Sequence, residues 1–275
     1  MKVGAMKKRI VSGLVFAILG VTIVFIKNPL LDSIFVTLLA LIAGFEFLRA
    51  FKKKGYNPIS WITYAGCLAI MLIGNFISEE YKILIYKMGI SIFIVSIFTY
   101  LVIPKLNRTV KDIAITVLSL VYIPMLFSII KLILMLENGR LLIWYVILGA
   151  FASDTFAFFV GCNWGKNKLC PNISPNKTRE GALGGIAGVI ISYIILTIVV
   201  NNYLNVNMNL YYWILIAIVA SITGQLGDLT ASSIKRYCGI KDFSNLIPGH
   251  GGILDRFDSL MFVAPIVYIF IKLYI

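Results

Sequence analysis

The C-terminal segment LIPGHGGILDRFDSLMFVAPIVYIFIKLYI (Leu246–Ile275) joins a polar, glycine-rich loop to an apolar segment that closes the sequence. The apolar part, about 257–275, is long enough to cross a bilayer as a helix. Asp255 and Asp258 lie at its beginning, although acidic residues are rare in this chain. The segment therefore predicts a transmembrane helix that carries carboxylates at its entrance.

The composition extends this prediction to the whole chain. Of 275 residues, 60% are hydrophobic and 13% are charged, against about 25% charged residues in an ordinary soluble domain. So much apolar surface indicates a bilayer as the solvent. We predict an all-α, polytopic integral membrane protein with about nine transmembrane helices, at about 10–26, 30–48, 59–77, 83–103, 113–136, 141–160, 183–200, 211–227 and 257–275.

The basic residues predict the orientation of these helices. The net charge is +13, and with a cytoplasmic N-terminus 19 of the 25 Lys and Arg residues fall on the inner side. Positive charge is enriched in cytoplasmic connections, so we expect the N-terminus inside, the C-terminus outside and residence in the cell's inner (plasma) membrane. In a chain of this kind the basic charge does not imply a nucleic-acid partner.

The same orientation divides the chain into two parts. Residues 1–140 are predicted to form about five N-terminal transmembrane helices, and 141–275 a catalytic transmembrane region. Its polar connections, 161–182 and 228–256, would both face the cytoplasm, and long connections in compact proteins usually serve function. The four cysteines show no zinc-binding spacing, so neither a zinc site nor a disulfide framework is expected.

The acidic residues predict a metal site. Only 12 are present, and an ionised carboxylate at membrane depth costs roughly 2.5–3.5 kcal/mol. Asp255 and Asp258 share one helix face, and Asp228 ends the preceding predicted span, so the three could converge on a hard cation, Mg²⁺ first. The alternative for the pair alone is that it complements the positive end of the last helix; Asp228 and the scarcity of acids favour the metal site.

Candidate anion-binding groups surround these acids. Lys235, Arg236 and Lys241 follow Asp228, and the glycines of PGHGG (Gly249, Gly251, Gly252) could let backbone N–H groups cradle a phosphate. A plain tight turn would explain the glycines equally well. His250 could contact a phosphate, act as acid or base, or be structural. Further candidates for substrate and phosphate binding lie upstream in the sequence. They are Asp154, Lys177 and Ser174, which begins a Ser-Pro turn.

SSIKRYCGIKDFSNLIPGHGGILDRFDS (Ser232–Ser259) closely resembles the signature of the phosphatidate cytidylyltransferases, also called CDP-diacylglycerol synthases. The residues that match the specified positions are Ser233, Lys235, Arg236, Lys241, Asp242, Pro248, Gly249, His250, Gly251, Gly252, Asp255, Arg256 and Asp258. The upstream ISPNKTREG is similar to a second family segment through Ser174, Pro175, Lys177, Thr178, Glu180 and Gly181. Asn176 and Phe158 depart from the residues that the family often has. The resemblance is sharp over about 150–260 and general over 1–140.

The resemblance implies a reaction and its participants. CTP and phosphatidate would give CDP-diacylglycerol and pyrophosphate, with Mg²⁺ and, as an open point, a second cation such as K⁺. Asp228, Asp255 and Asp258 would hold metal, and the phosphate-binding and catalytic groups would include Lys235, Arg236, His250, Arg256, Lys177, Ser174, Ser233, Lys241, Gly249, Gly251, Gly252 and Asp154. Phosphatidate would arrive from the inner leaflet and CTP from the cytosol. A homodimer is left open.

Other functions stay open at this point. A related CTP-dependent enzyme could act on an ether-linked phosphatidate or a polyprenol, because apolar pockets discriminate weakly between chains. An anion transporter is disfavoured by the absence of an inverted repeat in the sequence. A CDP-alcohol phosphatidyltransferase would need an Asp-Gly-x-x-Ala-Arg segment, which the sequence lacks.

Overall fold

The computed structural model describes the backbone of residues 20–22, 24–72, 108–204, 208–249 and 251–274. These residues are nearly all helical, and a two-stranded hairpin is the sheet found among them. The helices are α1 Pro29–Lys53, α2 Ser60–Ala69, α3 Val110–Leu120, α4 Leu126–Leu134, α5 Gly139–Trp164, α6 Arg179–Leu204, α7 Leu210–Tyr237 and α8 Leu254–Tyr274.

Long apolar helices support the predicted membrane class. Within the described residues, five helical segments are long and apolar enough to cross a bilayer. They also expose large apolar side chains such as Ile195 and Leu215, which are 59% and 60% accessible, as expected for surfaces that face lipid. The predicted spans at 10–26 and 83–103 fall largely outside the described residues, so the count of nine remains a prediction, as does the orientation of the termini.

Contacts divide the chain into two compact units. One comprises Met1–Lys131 with Phe243–Leu254, and the other Leu132–Asp242 with Asp255–Ile275. The sequence division at residue 140 rests on predicted spans and is a different kind of boundary, so it stays a prediction.

In the first unit, local capping and buried polar contacts fix the helices. Asn28 accepts from the backbone N–H of Leu30 at 2.9 Å at the start of α1. Thr109 and Asp112 form a reciprocal capping box at the start of α3, which satisfies N–H groups that have no intrahelical partner. Asp112 also accepts from the backbone N–H of Asn57 at 2.6 Å. A π-helical turn, Val121–Met125, joins α3 to α4 around Pro124.

In the second unit, α5, α6 and α7 pack around aromatic residues. The rings of Tyr145 and Trp213 stack with centroids 3.6 Å apart, and the Tyr193 hydroxyl donates to the Tyr145 carbonyl at 2.6 Å. All three side chains are 0–2% exposed. The two tyrosine hydroxyls of this core are hydrogen-bonded, as buried polar groups require.

A hairpin between α5 and α6 corrects the purely helical prediction. Strands β1 (Lys168–Cys170) and β2 (Ser174–Thr178) pair antiparallel with an irregularity in the register. The reason is local, because Pro175 cannot donate to a helix and favours extended backbone at the residue before it. Glu180 then closes the hairpin by accepting from the backbone N–H groups of Lys166 and Asn167 at 3.1 and 3.2 Å.

Candidate active site

An ion pair joins the hairpin to α7. Lys177, on β2, contacts Asp228 through its ammonium group, and both side chains are about one quarter exposed, at 27% and 25%. Asp228 was predicted to end a span at 227, but α7 continues to Tyr237. Asp228 therefore projects from within a helix, and the polar connection after it is correspondingly shorter than the predicted 228–256.

Asp154, Lys177 and Asp228 line one cavity of about 590 Å³. The hairpin supplies Lys177, α5 supplies Asp154 and α7 supplies Asp228, so three elements distant in sequence converge there. Glycines in the same lining, Gly161 and Gly181, meet around Thr178, where an added Cβ would approach the Thr178 hydroxyl to 3.0 and 2.9 Å. These contacts bring α5 close to the beginning of α6, and they hold β2 at the edge of the cavity.

Asp258 adds a further carboxylate to this group. It is 7% exposed, and its Oδ1 accepts from the backbone N–H of Ser259 at 2.8 Å. Asp228 and Asp154 lie within electrostatic range of Asp258, while Lys177 and Arg256 lie within range of Asp154. Three acids and their basic neighbours therefore share one region, although Asp154 and Asp228 are the acids that line the cavity.

Asp255 forms an ion pair that was not predicted from the sequence. Lys235, near the end of α7, donates to Asp255 Oδ1 at 2.7 Å, and the two side chains are only 10% and 2% exposed. The i, i+3 spacing of Asp255 and Asp258 holds in α8. Asp255 forms the ion pair with Lys235, whereas Asp258 interacts electrostatically with Asp228 and Asp154 as well as with Lys235.

The remaining predicted residues are more dispersed. Arg236 is exposed and donates to the backbone carbonyls of Ile173 and Ile240 at 3.4 and 3.3 Å. Ser174 pairs with Cys170 in the hairpin. Ser233, Lys241, Gly249 and Arg256 are exposed, Gly251 is half-buried and Gly252 is buried. His250 lies outside the described residues, so its predicted role is untouched by the structure.

The donor chemistry of this region fits a hard divalent cation. Like charges crowd at Asp154, Asp228 and Asp258, which is unfavourable unless a cation compensates, and carboxylate oxygens suit Mg²⁺. The described side chains nevertheless do not bring three His, Cys, Asp or Glu residues into a group that could hold a metal, and two of the predicted ligands, Asp228 and Asp255, are paired with lysines. The ligand set Asp228, Asp255 and Asp258 therefore stays a prediction.

A polar network that was not predicted from the sequence lies beside the site. Gln225, one turn before Asp228, donates through Nε2 to the Ala182 carbonyl at 3.1 Å and to Ser221 Oγ at 3.2 Å. Ser153 and Ser221 are hydrogen-bonded at 2.9 Å. These residues link α5, α6 and α7, and Gln225 lines the cavity together with the two acids. The available signal was weak, because it consisted of small polar residues at helical spacing inside apolar runs.

The fold and the site define a class, a helical membrane protein with an acid–base cluster in its second unit. A model described as the cytidylyltransferase family matches residues 7–274, and the chain belongs to this family of enzymes. Phosphatidate cytidylyltransferase of Bacillus subtilis (strain 168) is 36% identical over 276 residues, which cover 98% of each chain. Proteins of the same name from Staphylococcus epidermidis (strain RP62A) and Staphylococcus aureus (strain COL) are 35% and 34% identical over 264 residues, covering 96% of this chain and 98% of their own. The predicted family is thus confirmed.

Proposed function

We propose that the chain transfers the cytidylyl group of CTP to phosphatidate, which forms CDP-diacylglycerol and releases pyrophosphate. The match to the cytidylyltransferase family across nearly the whole chain carries this proposal. The cavity lined by Asp154, Lys177 and Asp228 supports it, because phosphoryl chemistry needs basic groups for phosphates beside acids that can hold a cation.

The proposed reaction is an in-line displacement at phosphorus. An oxygen of the phosphatidate phosphate forms a bond to the α-phosphorus of CTP, and the bond from that phosphorus to the bridging oxygen of pyrophosphate breaks. Lys177 at the cavity, with Lys235, Arg236 and Arg256, supplies cations for substrate phosphates. The chain contributes positioning and charge stabilisation, and no covalent intermediate on a side chain is required.

Asp228, Asp255 and Asp258 are proposed to hold Mg²⁺, with a second cation such as K⁺ as a further candidate. When bound, the metal would neutralise charge on the reacting phosphates. In the described structure Lys177 and Lys235 neutralise two of these acids. Lys177, whose pair with Asp228 is partly exposed, is proposed to leave its carboxylate for a substrate phosphate, so that one side chain serves both the resting site and the substrate.

The proposed site faces the cytoplasm, at the inner leaflet of the cell membrane. The distribution of basic residues supports this orientation, and the substrates explain it, because CTP is soluble in the cytosol whereas phosphatidate is held in the membrane. A homodimer is part of the proposal only as an expectation from the glycine-rich spans.

The test is direct product formation. Purified protein incubated with labelled CTP, phosphatidate and Mg²⁺ should yield a CDP-lipid and an equal amount of pyrophosphate. Asp258→Asn should lower this rate by about 100-fold or more, since one electrostatic group at a reacting centre contributes about that much, while expression and membrane insertion stay normal. An inactive wild-type protein would overturn the function, and normal turnover by Asp258→Asn would overturn the metal assignment.

Substrate selectivity is tested in the same assay. Ether-linked phosphatidate, a polyprenol, dCTP and the other nucleoside triphosphates replace the proposed substrates one at a time. Preference for a polyprenol over phosphatidate would show that the chain is instead a related CTP-dependent enzyme with a different lipid substrate.

A further inference from the structure

Glu46 is a buried acid in the second half of an apolar helix. It lies in α1 and is only 1% exposed. Burying a carboxylate is unfavourable unless hydrogen bonds compensate. Glu46 meets this requirement without a basic partner among its described hydrogen bonds, since its donors are two backbone N–H groups and one hydroxyl.

These donors all belong to the segment that begins α8. Glu46 Oε2 accepts from the backbone N–H of Leu254 at 2.8 Å, and Oε1 accepts from that of Ile253 at 3.1 Å. The Ser244 hydroxyl also donates to Oε1. Leu254 is the first residue of α8, so the carboxylate binds N–H groups that a helix leaves without intrahelical partners.

Glu46 takes the place of a local N-cap residue at the start of α8. Ser, Thr, Asp or Asn before a helix usually satisfies its first N–H groups, but Ile253 precedes α8 and has no side-chain acceptor. A carboxylate also interacts favourably with the positive end of the helix dipole. A residue about two hundred positions earlier in the chain therefore provides what the local sequence omits.

The neighbouring glycine shows that the contact is tight. A Cβ on Gly252 would lie against both carboxylate oxygens of Glu46, so any larger residue would displace the acid. Gly251 has φ +84°, a conformation that L-residues rarely adopt, and its carbonyl accepts from the Ile247 N–H at 2.9 Å. The glycines of PGHGG thus make room for Glu46 and for the turn, a reason that does not involve phosphate.

We infer that Glu46 is a positioning residue for the acids of α8. Asp255 follows Leu254 directly, and Asp258 follows one helical turn later. The Glu46 carboxylate caps the first turn of α8 and so determines the residue at which the helix that carries both aspartates begins. The inference rests on the proposed function for its catalytic consequence, while the capping itself is independent of the reaction.

The first experiment compares Glu46→Gln with Asp112→Asn. Both replace a buried acid that accepts backbone N–H groups, but Asp112 caps α3 and contacts Asn57. Glu46→Gln should lower kcat by about 10- to 100-fold, since small misplacements of reacting groups cost that much. It should also raise the Mg²⁺ concentration for half-maximal rate by about 10-fold. Asp112→Asn should lower the melting temperature without changing either quantity.

A readout without catalysis separates this inference from the proposed function. Hydrogen exchange at the amides of Ile253 and Leu254 should accelerate in Glu46→Gln and remain slow in Asp112→Asn. If the wild-type protein makes no CDP-lipid yet exchange behaves as expected, the proposed function fails and the capping stands. If exchange at these amides is unchanged, or if both variants alter the Mg²⁺ response equally, the inference is overturned.

A pair of substitutions tests the role of Gly252. Gly252→Ala should impair turnover because its Cβ displaces the carboxylate, and Glu46→Asp, one methylene shorter, should restore part of that loss in the double variant. Such coupling is expected of residues in direct contact. If the two defects simply add, Gly252 does not act through Glu46 and this part of the inference is wrong.

Discussion

Lys235 and Asp255 form a nearly dry ion pair, with N and O 2.7 Å apart and side-chain exposures of 10% and 2%. Breaking a buried pair by removing one partner costs about 3–5 kcal/mol, because the other charge is left uncompensated. The pair of Lys177 and Asp228 is more exposed, at 27% and 25%. Partly exposed pairs contribute about 1 kcal/mol or less.

This difference gives a prediction for the two lysines. Lys235→Met should lower the melting temperature of the detergent-solubilised protein clearly more than Lys177→Met, although both should reduce turnover. Differential scanning calorimetry of the two variants beside wild type measures the effect. Equal destabilisation would mean that burial does not set the strength of these pairs.

The site residues differ in how far the sequence could predict them. Asp228, Asp255 and Asp258 are visible from the sequence because acids are scarce and stand beside apolar runs. Their partners are not, since the contact between Lys177 and Asp228 depends on where the hairpin meets α7. Glu46 had the same signal as the others, an acid in an apolar run. Its function depends on a segment about two hundred residues later, which no local pattern indicates.

At the scale of elements, Gly227 sets the approach of α7 and α8. A Cβ there would come within 2.5 Å of the Asp258 carbonyl and 3.0 Å of Phe262 Cβ. One turn earlier, a Cβ added to Gly224 would lie 3.1 Å from a methyl group of Val263 and 3.8 Å from the Gly149 carbonyl. A backbone carbonyl cannot move aside as the end of a side chain can. Replacement by alanine should therefore be tolerated better at Gly224 than at Gly227.

We therefore expect Gly227→Ala to reduce turnover by about 10-fold or more, because it separates Asp228 from Asp258. Gly224→Ala, on the same face, should retain most activity. Initial rates with CTP and phosphatidate, normalised to folded protein by size-exclusion chromatography, measure both variants. Similar rates in the two variants would show that the close approach at Gly227 is not needed for the reaction.

Helix positions were more predictable than helix ends. The runs at 30–48, 113–136, 141–160, 183–200, 211–227 and 257–275 each correspond to a helix, since a bilayer requires long apolar segments. The predicted helix ends are wrong where polar residues continue a helix beyond its apolar run. The helix α7, for example, continues to Tyr237. The hairpin was missed because its few residues carry no alternating pattern, and only Pro175 indicated extended backbone.

At the scale of the whole molecule, the predicted orientation can be tested with a native cysteine. Cys162 is exposed near the end of α5, within the connection expected to be cytoplasmic. A variant that keeps only Cys162 should resist a membrane-impermeant maleimide in intact cells and react after permeabilisation. Asn202→Cys, exposed near the end of α6 and without other cysteines, should react in intact cells. The reverse pattern would invert the orientation.

Membrane class and family could both be predicted from the sequence, the first from composition and the second from a dense motif at fixed spacing. The predicted spans that fall in 73–107 and in the first nineteen residues lie outside the described part, so the number of spans stays a prediction. The orientation follows from the distribution of basic residues during membrane insertion, and cysteine accessibility tests it directly.

The two lysine–aspartate pairs have a consequence for the resting protein. Asp228 and Asp255 each have an internal counter-charge, so neither of these two carboxylates requires an ion from solution to be neutralised. Under the proposed metal site, magnesium would then be needed at these two residues for turnover and not for keeping the protein folded.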